Sequence, residues 1–182
     1  MNKFLSYFLY IIPLTLMSSS CNRGTINSQN TEPITTIILV RHAEKIGETD
    51  ELDPVLGLNR SQELARMYSN SSIQHIYSSN YNRTIKTAQP LADLLGLQIN
   101  LYSTDNLAIL TQKIKSEHKG EVILVIGHSN TIPKTIQLLD SATSFPDIPS
   151  HEYDNLYTVI LTENAKTKVI KKKYGLKSPT KE

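Results

Sequence analysis

The chain has 182 residues, of which 39% are hydrophobic and 20% charged, and its formal net charge is +2. This composition is ordinary for one globular domain and excludes collagen, a coiled coil and a wholly disordered chain. The basic residues are scattered apart from the short run 171–173, so we predict no nucleic-acid partner.

The N-terminal residues predict export and a lipid anchor. Lys3 precedes a mostly apolar stretch, residues 4–17, which is shorter than the roughly 20 residues of a membrane-spanning helix. Cys21 is the only cysteine and follows three serines, a placement that resembles the processing site of bacterial lipoproteins. We predict a signal peptide over residues 1–20, lipidation at Cys21, and attachment to a bacterial membrane on the side that faces the periplasm. An ordinary cleaved signal peptide is the alternative.

A polar tether is predicted over residues 21–33, and strands alternate with helices after it. Asn59 is expected to cap the first helix and Gly96 to end the second. The alternation predicts an α/β three-layer sandwich over residues 34–176, with a mainly parallel central sheet and helices on both faces, followed by a polar tail at 177–182. Strands are predicted at 34–40, 73–77, 97–102, 121–126, 156–161 and 168–173, and helices at 60–68, 83–95, 107–117 and from residue 133.

Cationic and imidazole side chains follow the most apolar of these strands. "ILVRH" ends in Arg41 and His42, "LVIGH" ends in His128, and Arg83 opens the helix after "YSSNYNR". Because the carboxyl ends of parallel strands meet at one edge of a sheet, we expect these four residues to converge. Two guanidinium groups beside two imidazoles suit a dianion, and the planar fork of arginine fits phosphate, so the pattern predicts phosphoryl chemistry.

A zinc site is the main chemical alternative, with His151 as a third imidazole beside His42 and His128. Two arginines in the same place would repel a metal cation, and we therefore predict that this pocket holds no metal. His75 and His118 have no charged partner in the sequence pattern and are interpreted as structural or surface residues.

Three segments resemble the signatures of the histidine phosphatase superfamily, which has the phosphoglycerate mutase-like fold: "LVRHAEK", "IYSSNYNRTIKTAQPLADLLG" and "LVIGHSNTIP". The resemblance covers roughly residues 35–175. It implies that His42 is a covalent nucleophile that becomes phosphohistidine, and that Arg41, Arg83 and His128 bind the phosphoryl group. It also implies that neither a metal nor an organic cofactor is required.

The residue that protonates the leaving group stays open in the sequence. Glu44 is preferred because it lies two residues from His42, and Asp53, in "ELDPVLG", borders the expected mouth of the pocket. Lys45 is a candidate for a second charge on the substrate. The other acidic candidates are Asp105, Glu152 and Asp154.

This chain departs from the family pattern at three positions. Relatives often carry a small hydroxyl residue and a glycine where this chain has Gly57 and Arg60, and many have glycine where this chain has Ala43. The first two departures bear on how the following helix begins and leave the phosphate pocket unaffected.

The sequence thus predicts a metal-independent phosphomonoesterase that forms a phosphohistidine intermediate and acts on a small phosphorylated substrate or a phosphoprotein of the cell envelope. A phosphoglycerate mutase-like phosphotransferase is the first alternative, although the predicted connections are too short for an obvious lid. The second is a non-catalytic lipoprotein that binds phosphorylated ligands. The sequence leaves the identity of the substrate open.

Overall fold

The computed structural model describes residues 32–179, so the predicted signal peptide, Cys21 and most of the predicted tether lie outside the described residues. No helix within 32–179 combines the length and the apolar character needed to cross a membrane. The strands are β1 Thr35–Arg41, β2 Ile73–Ser79, β3 Ile99–Tyr102, β4 Val122–Gly127, β5 Asn155–Leu161 and β6 Lys168–Lys173; the helices are α1 Leu56–Tyr68, α2 Asn82–Leu95, α3 Leu107–Glu117 and α4 Thr131–Leu139.

The six strands form one sheet in the order β3-β2-β4-β1-β5-β6. The pairs β1/β4, β2/β4 and β2/β3 are parallel, whereas β5 runs antiparallel to both β1 and β6. The predicted α/β architecture, with a mainly parallel central sheet and helices on both faces, is confirmed.

Two hydrophobic cores enclose the sheet, one on each face. Val40 packs with Leu64 of α1 and Leu91 of α2, while Leu39 packs on the opposite face with Ile114 of α3 and other residues of α3 and α4. Successive side chains of a strand point to opposite faces, so a strand covered on both sides needs an unbroken apolar run. This requirement explains the continuous apolar sequence of β1.

Helix α1 begins earlier than the sequence pattern predicts. The expected cap, Asn59, lies inside the helix, and Asp53 takes the capping role because its Oδ1 accepts hydrogen bonds from the backbone N–H groups of Val55 (2.9 Å) and Leu56 (2.7 Å). The predicted end of α2 is confirmed, since Gly96 adopts a left-handed conformation with φ 66°.

The parallel strands bring three chain reversals to one edge of the sheet. Arg41 is in register with Gly127 across β1 and β4, and the backbone N–H of His42 donates to the Gly127 carbonyl at 2.8 Å. Strand β4 lies between β1 and β2, and β2 ends at Ser79, next to the start of α2. Segments far apart in sequence therefore meet where β1, β2 and β4 end.

Candidate active site

His42 leaves β1 with its imidazole fixed in one orientation. Its Nδ1 lies 2.7 Å from the Ala43 carbonyl oxygen, and the residue is only 3% exposed. Because a carbonyl can only accept, Nδ1 carries the proton and Nε2 keeps its lone pair. The sequence-predicted nucleophile therefore has an unprotonated nitrogen on the ring edge away from this hydrogen bond.

Burial is the main reason that the pKa of His42 falls from 6.5 to about 3. The hydrogen bond to Ala43 works in the opposite direction, and the positive charges of Arg41 and Arg83 lower the pKa further, as does His128. A neutral imidazole is the nucleophilic form, so His42 is ready to react at neutral and mildly acidic pH.

His128 follows β4 and faces His42, with the two ring centroids 5.5 Å apart. Its Nδ1 is 3.3 Å from Nη2 of Arg83, and its Nε2 is 2.8 Å from Oγ of Ser79. Since a guanidinium can only donate, Nδ1 accepts and Nε2–H donates to Ser79, whose hydroxyl in turn donates to Oγ1 of Thr84 at 3.0 Å. This chain of hydrogen bonds fixes the tautomer and the orientation of His128.

The pKa of His128 is also lowered, to about 4. Burial is the largest cause, the charges of Arg83 and Arg41 add to it, and the carboxylate of Asp50 opposes it. A bound phosphate dianion would offset the part of this lowering that comes from the two arginines, and the part that comes from burial would remain.

Arg83, the second residue of α2, is held by an acidic residue that the sequence analysis did not single out. Its Nη1 donates to Oδ1 of Asp50 at 2.6 Å, and its guanidinium carbon lies 4.5 Å from the ring centroid of Tyr81. Although partial burial works the other way, backbone hydrogen bonds from Asn82 and Arg83 and the Arg83 charge lower the pKa of Asp50, so this carboxylate stays ionised. No local pattern links Asp50 to Arg83, because they are 33 residues apart.

Arg41 ends β1 and has two tasks in the structure. Its Nη1 donates to the backbone carbonyls of Pro149 (3.1 Å), Ser150 (2.9 Å) and Glu152 (2.9 Å), and its guanidinium carbon lies 4.1 Å from the ring centroid of Tyr153. These contacts fasten the segment before β5 to the edge of the sheet, and Arg41 also lines the cavity beside His42.

Arg41, His42, Arg83 and His128 line one open cavity, together with Lys45. The Nε atoms of both arginines are buried without a hydrogen-bond partner among residues 32–179. Unused buried donors of this kind are rare in proteins, and here they belong to two cations beside two imidazoles. The cavity is therefore suited to a small, doubly charged anion.

The structure holds Glu44 away from this cavity. Both carboxylate oxygens accept from Nε of Arg60 (3.0 and 2.9 Å), and Oε1 also accepts from Nη2 at 2.7 Å. Arg60 is 3% exposed and donates further to the carbonyls of Tyr174 and Leu176. Arg60 of α1 thus joins Glu44 to the C-terminal segment, and Glu44 is not among the residues that line the cavity.

The other acidic candidates also lie outside the cavity lining. Asp53 caps α1, Asp105 stands in the turn before α3, and Glu152 and Asp154 both accept from Nζ of Lys173. His151 lines a different cavity, next to Glu152 and Asp154, so the structure does not assemble the zinc ligand set of His42, His128 and His151.

Comparison with known proteins agrees with this site. The model of the histidine phosphatase superfamily (branch 1) matches residues 37–108, which include His42 and Arg83. The protein histidine phosphatase SixA, solved in complex with tungstate, shares the fold with a TM-score of 0.59 and 17% identity over 76% of this chain and 96% of that chain. Among curated proteins, none matches the chain significantly.

Two further solved structures have the same fold. Phosphoglycerate mutase from Bacillus anthracis str. Sterne superposes with a TM-score of 0.55 and 14% identity, over 76% of this chain and 92% of that chain. Phosphoserine phosphatase from Entamoeba histolytica, in complex with 3-phosphoglyceric acid, superposes with a TM-score of 0.52 and 16% identity, over 80% of this chain and 98% of that chain. At these identities the likeness is one of fold.

The model of the histidine phosphatase superfamily thus matches the part of the chain that carries two of the three motifs, and the solved structures share the phosphoglycerate mutase-like fold that the sequence predicts. The solved structures with this fold include phosphatases and a mutase. The third motif, which carries His128, lies beyond the matched residues and is placed beside His42 by the fold.

Proposed function

We propose that this protein is a metal-independent phosphomonoesterase that acts through a phosphohistidine on His42. The observation that carries the proposal is the state of this side chain: a buried, neutral imidazole with its proton fixed on Nδ1, at a cavity lined by Arg41 and Arg83. A nucleophile and anion-binding groups are then present in one place, and these side chains can perform both steps of the reaction themselves.

The reaction has two displacement steps. In the first, Nε2 of His42 attacks phosphorus, the bond from phosphorus to the leaving oxygen breaks, and the leaving group takes up a proton. In the second, a water oxygen attacks the phosphohistidine, the P–N bond breaks, the water loses a proton, and inorganic phosphate departs. Charge spreads over the equatorial oxygens in both steps, where the fixed donors of Arg41 and Arg83 stabilise it best.

The contacts of Glu44 give no support to the acid role that the sequence favours for it. Its carboxylate is bound by Arg60, and the other acidic candidates are not among the residues that line the cavity. The cavity is open to solvent, so water can protonate the leaving group. Esters or phosphoramidates with good leaving groups fit this arrangement best, because such groups depend little on an acid.

The test is to trap the intermediate. Purified protein mixed with a labelled phosphate ester and quenched within milliseconds should carry an acid-labile, alkali-stable phosphoryl group on His42, and His42→Ala should carry none. Release of inorganic phosphate separates a phosphatase from a mutase, which transfers the group to a second hydroxyl. A label on serine, or a protein that turns over substrate without any trapped label, would exclude the covalent mechanism.

Export and attachment to the cell envelope by a lipid on Cys21 belong to the same proposal. They rest on the sequence of the first 21 residues, and so does the expectation that the substrate is a phosphate ester or phosphoprotein outside the cytoplasm.

A further inference from the structure

A second group of imidazole and carboxylate side chains lies at the other edge of the sheet from His42. His75 is near the start of β2, His118 directly follows α3, and Glu121 directly precedes β4. Because β2 and β4 are parallel and end at the His42 edge, their beginnings lie at the opposite edge. This cluster is therefore separate from the phosphate cavity.

The sequence pattern indicates no charged partner for His75 or His118, but in the structure Glu121 contacts both. Oε2 of Glu121 lies 3.0 Å from Nε2 of His75 and 2.7 Å from Nδ1 of His118. The two imidazole centroids are 4.0 Å apart, and one ligand atom from each of the three residues lies within 4.8 Å of the other two. Three possible donor atoms thus lie close together.

The far side of the His118 ring is also held. Its Nε2 lies 2.8 Å from the hydroxyl oxygen of Tyr77, which is 4% exposed. A hydroxyl can donate or accept, so Tyr77 can keep Nδ1 directed at Glu121 in either tautomer of the ring. Metal-binding histidines usually have such a partner on their second nitrogen, which orients the ring and fixes its tautomer.

The backbone of β2 is irregular at this position. The register of β2 against β4 shifts between Ile73 and His75, and the side chain of Gln74 accepts a hydrogen bond from the backbone N–H of Val122 at 3.0 Å. Such a bulge redirects the side chains next to it. The irregularity occurs where the imidazole of His75 reaches Glu121.

We propose that His75, His118 and Glu121 bind a divalent transition-metal ion, with zinc as the best match. Two imidazoles and a carboxylate are a donor set that zinc accepts, and imidazole disfavours Mg²⁺ and Ca²⁺. Zinc–ligand bonds of ~2.0–2.1 Å in a tetrahedron separate neighbouring donors by ~3.3 Å, so the present spacings of 3.0 and 2.7 Å need to open only slightly. The side chains of His75 and Glu121 are about one-third exposed, which leaves the fourth position to water.

A bound ion would connect β2 to the turn between α3 and β4. It would stabilise the folded chain by mass action, since the ligands are brought together only by folding. The role is structural, and it does not depend on the phosphatase proposal.

The experiment measures zinc binding by isothermal titration calorimetry and thermal unfolding of the full chain carrying Cys21→Ser, which removes the lone thiol as a ligand. We expect one equivalent to bind and the melting temperature to rise by several degrees. His75→Ala and Glu121→Gln, at partly exposed positions, should each weaken binding by ~10-fold or more. The matched control is His151→Ala, which should bind zinc as the parent does, and Co²⁺ should give the visible absorption of a four-coordinate site.

Three outcomes would overturn the proposal: no stoichiometric binding by the folded parent, equal binding by the parent and His75→Ala, or binding lost in His128→Ala and retained in Glu121→Gln. The last result would move the metal to the phosphate cavity. Circular dichroism of each variant confirms that it is folded before its binding is compared.

Discussion

At the level of single residues, the site depends on protonation states that the tertiary structure imposes. The imidazole of a free histidine has a pKa near 6.5, whereas burial beside two guanidinium groups lowers the pKa of His42 to about 3 and that of His128 to about 4. Burial contributes most to keeping the nucleophile unprotonated, and the arginines that attract the phosphoryl group add to it.

Substitution of Arg83 tests its role in binding the transferred group. Arg83→Ala should lower kcat by ~10²-fold or more, the loss expected when one fixed donor to a developing oxyanion is removed. Arg83→Lys should recover only part of the activity, because an ammonium cannot replace the planar fork that binds both Asp50 and an anion. Steady-state kinetics with a chromogenic phosphate ester gives both values.

Inhibitors complete the test of this cavity. Phosphate and vanadate should compete with substrate, and EDTA should leave the rate unchanged, even though it would remove an ion from the distant His75 cluster. Activity that EDTA abolishes and zinc restores would contradict the role given to Arg83 and to His42.

The lowered pKa values also predict a dependence of stability on pH. An unfolded chain takes up protons on these histidines below pH ~6.5, whereas the folded chain does so only near pH 3 to 4, so stability falls as the pH drops through this window. The slope is up to ~1.4 kcal/mol per pH unit for each histidine. Urea unfolding at pH 6.5 and 4.5 measures it, and His128→Asn should reduce the slope; an unchanged slope would show that His128 titrates normally.

At the level of elements, one contact joins α1, the end of β1 and the C-terminal segment. Arg60 of α1 binds Glu44 and the carbonyls of Tyr174 and Leu176. Gly57 lets α1 approach, because a Cβ at this position would lie 2.4 Å from the Glu44 carbonyl oxygen. Gly57 and Arg60, two of the three departures from the family pattern, therefore both contribute to this contact between α1, the end of β1 and the C-terminal segment.

Breaking this contact should reduce stability far more than activity. Arg60→Ala leaves the mostly buried Glu44 carboxylate without its partner and should cost about 3 kcal/mol or more of unfolding free energy. The double variant Glu44→Leu with Arg60→Leu should cost less, because no unpaired charge remains. Urea unfolding of the parent and of both variants gives the three unfolding free energies.

Glu44→Gln separates structure from catalysis. It keeps the size of the side chain, and kcat should stay within about threefold of the parent, since the carboxylate binds Arg60 and Glu44 is not among the residues that line the cavity. A loss of ~10²-fold with normal folding would return the acid role to Glu44.

At the level of the whole molecule, the lipid anchor proposed at Cys21 would decide where the cavity operates. If Cys21 is lipidated, the full-length protein should partition into the detergent phase and Cys21→Ser should move to the aqueous phase. Stable attachment needs at least two acyl chains, because one chain binds membranes only marginally. Equal partitioning of both proteins would leave a plain signal peptide.

The sequence by itself determined the architecture. The apolar run of β1, the helical periodicity of α2 and the glycine that ends α2 at Gly96 are local signals. Such signals directly favour a strand, a helix or a helix end. The sequence also determined that Arg41, His42 and His128 stand at strand ends and that Arg83 stands at the start of a helix that follows a strand, and parallel topology brings such ends to one edge. The ends of helices were predicted less accurately, as at α1, where Asp53 and not Asn59 is the cap.

Only the tertiary structure decided which side chains share an environment. Glu44 is two residues from the nucleophile, yet it is bound by Arg60, and the carboxylate that orients Arg83 is Asp50. Likewise, Glu121 contacts both His75 and His118. His75 lies in β2, whereas His118 and Glu121 lie in the turn between α3 and β4. Packing between segments that are far apart in sequence determines which side chains contact one another. The spacing of residues along the chain therefore does not predict these contacts.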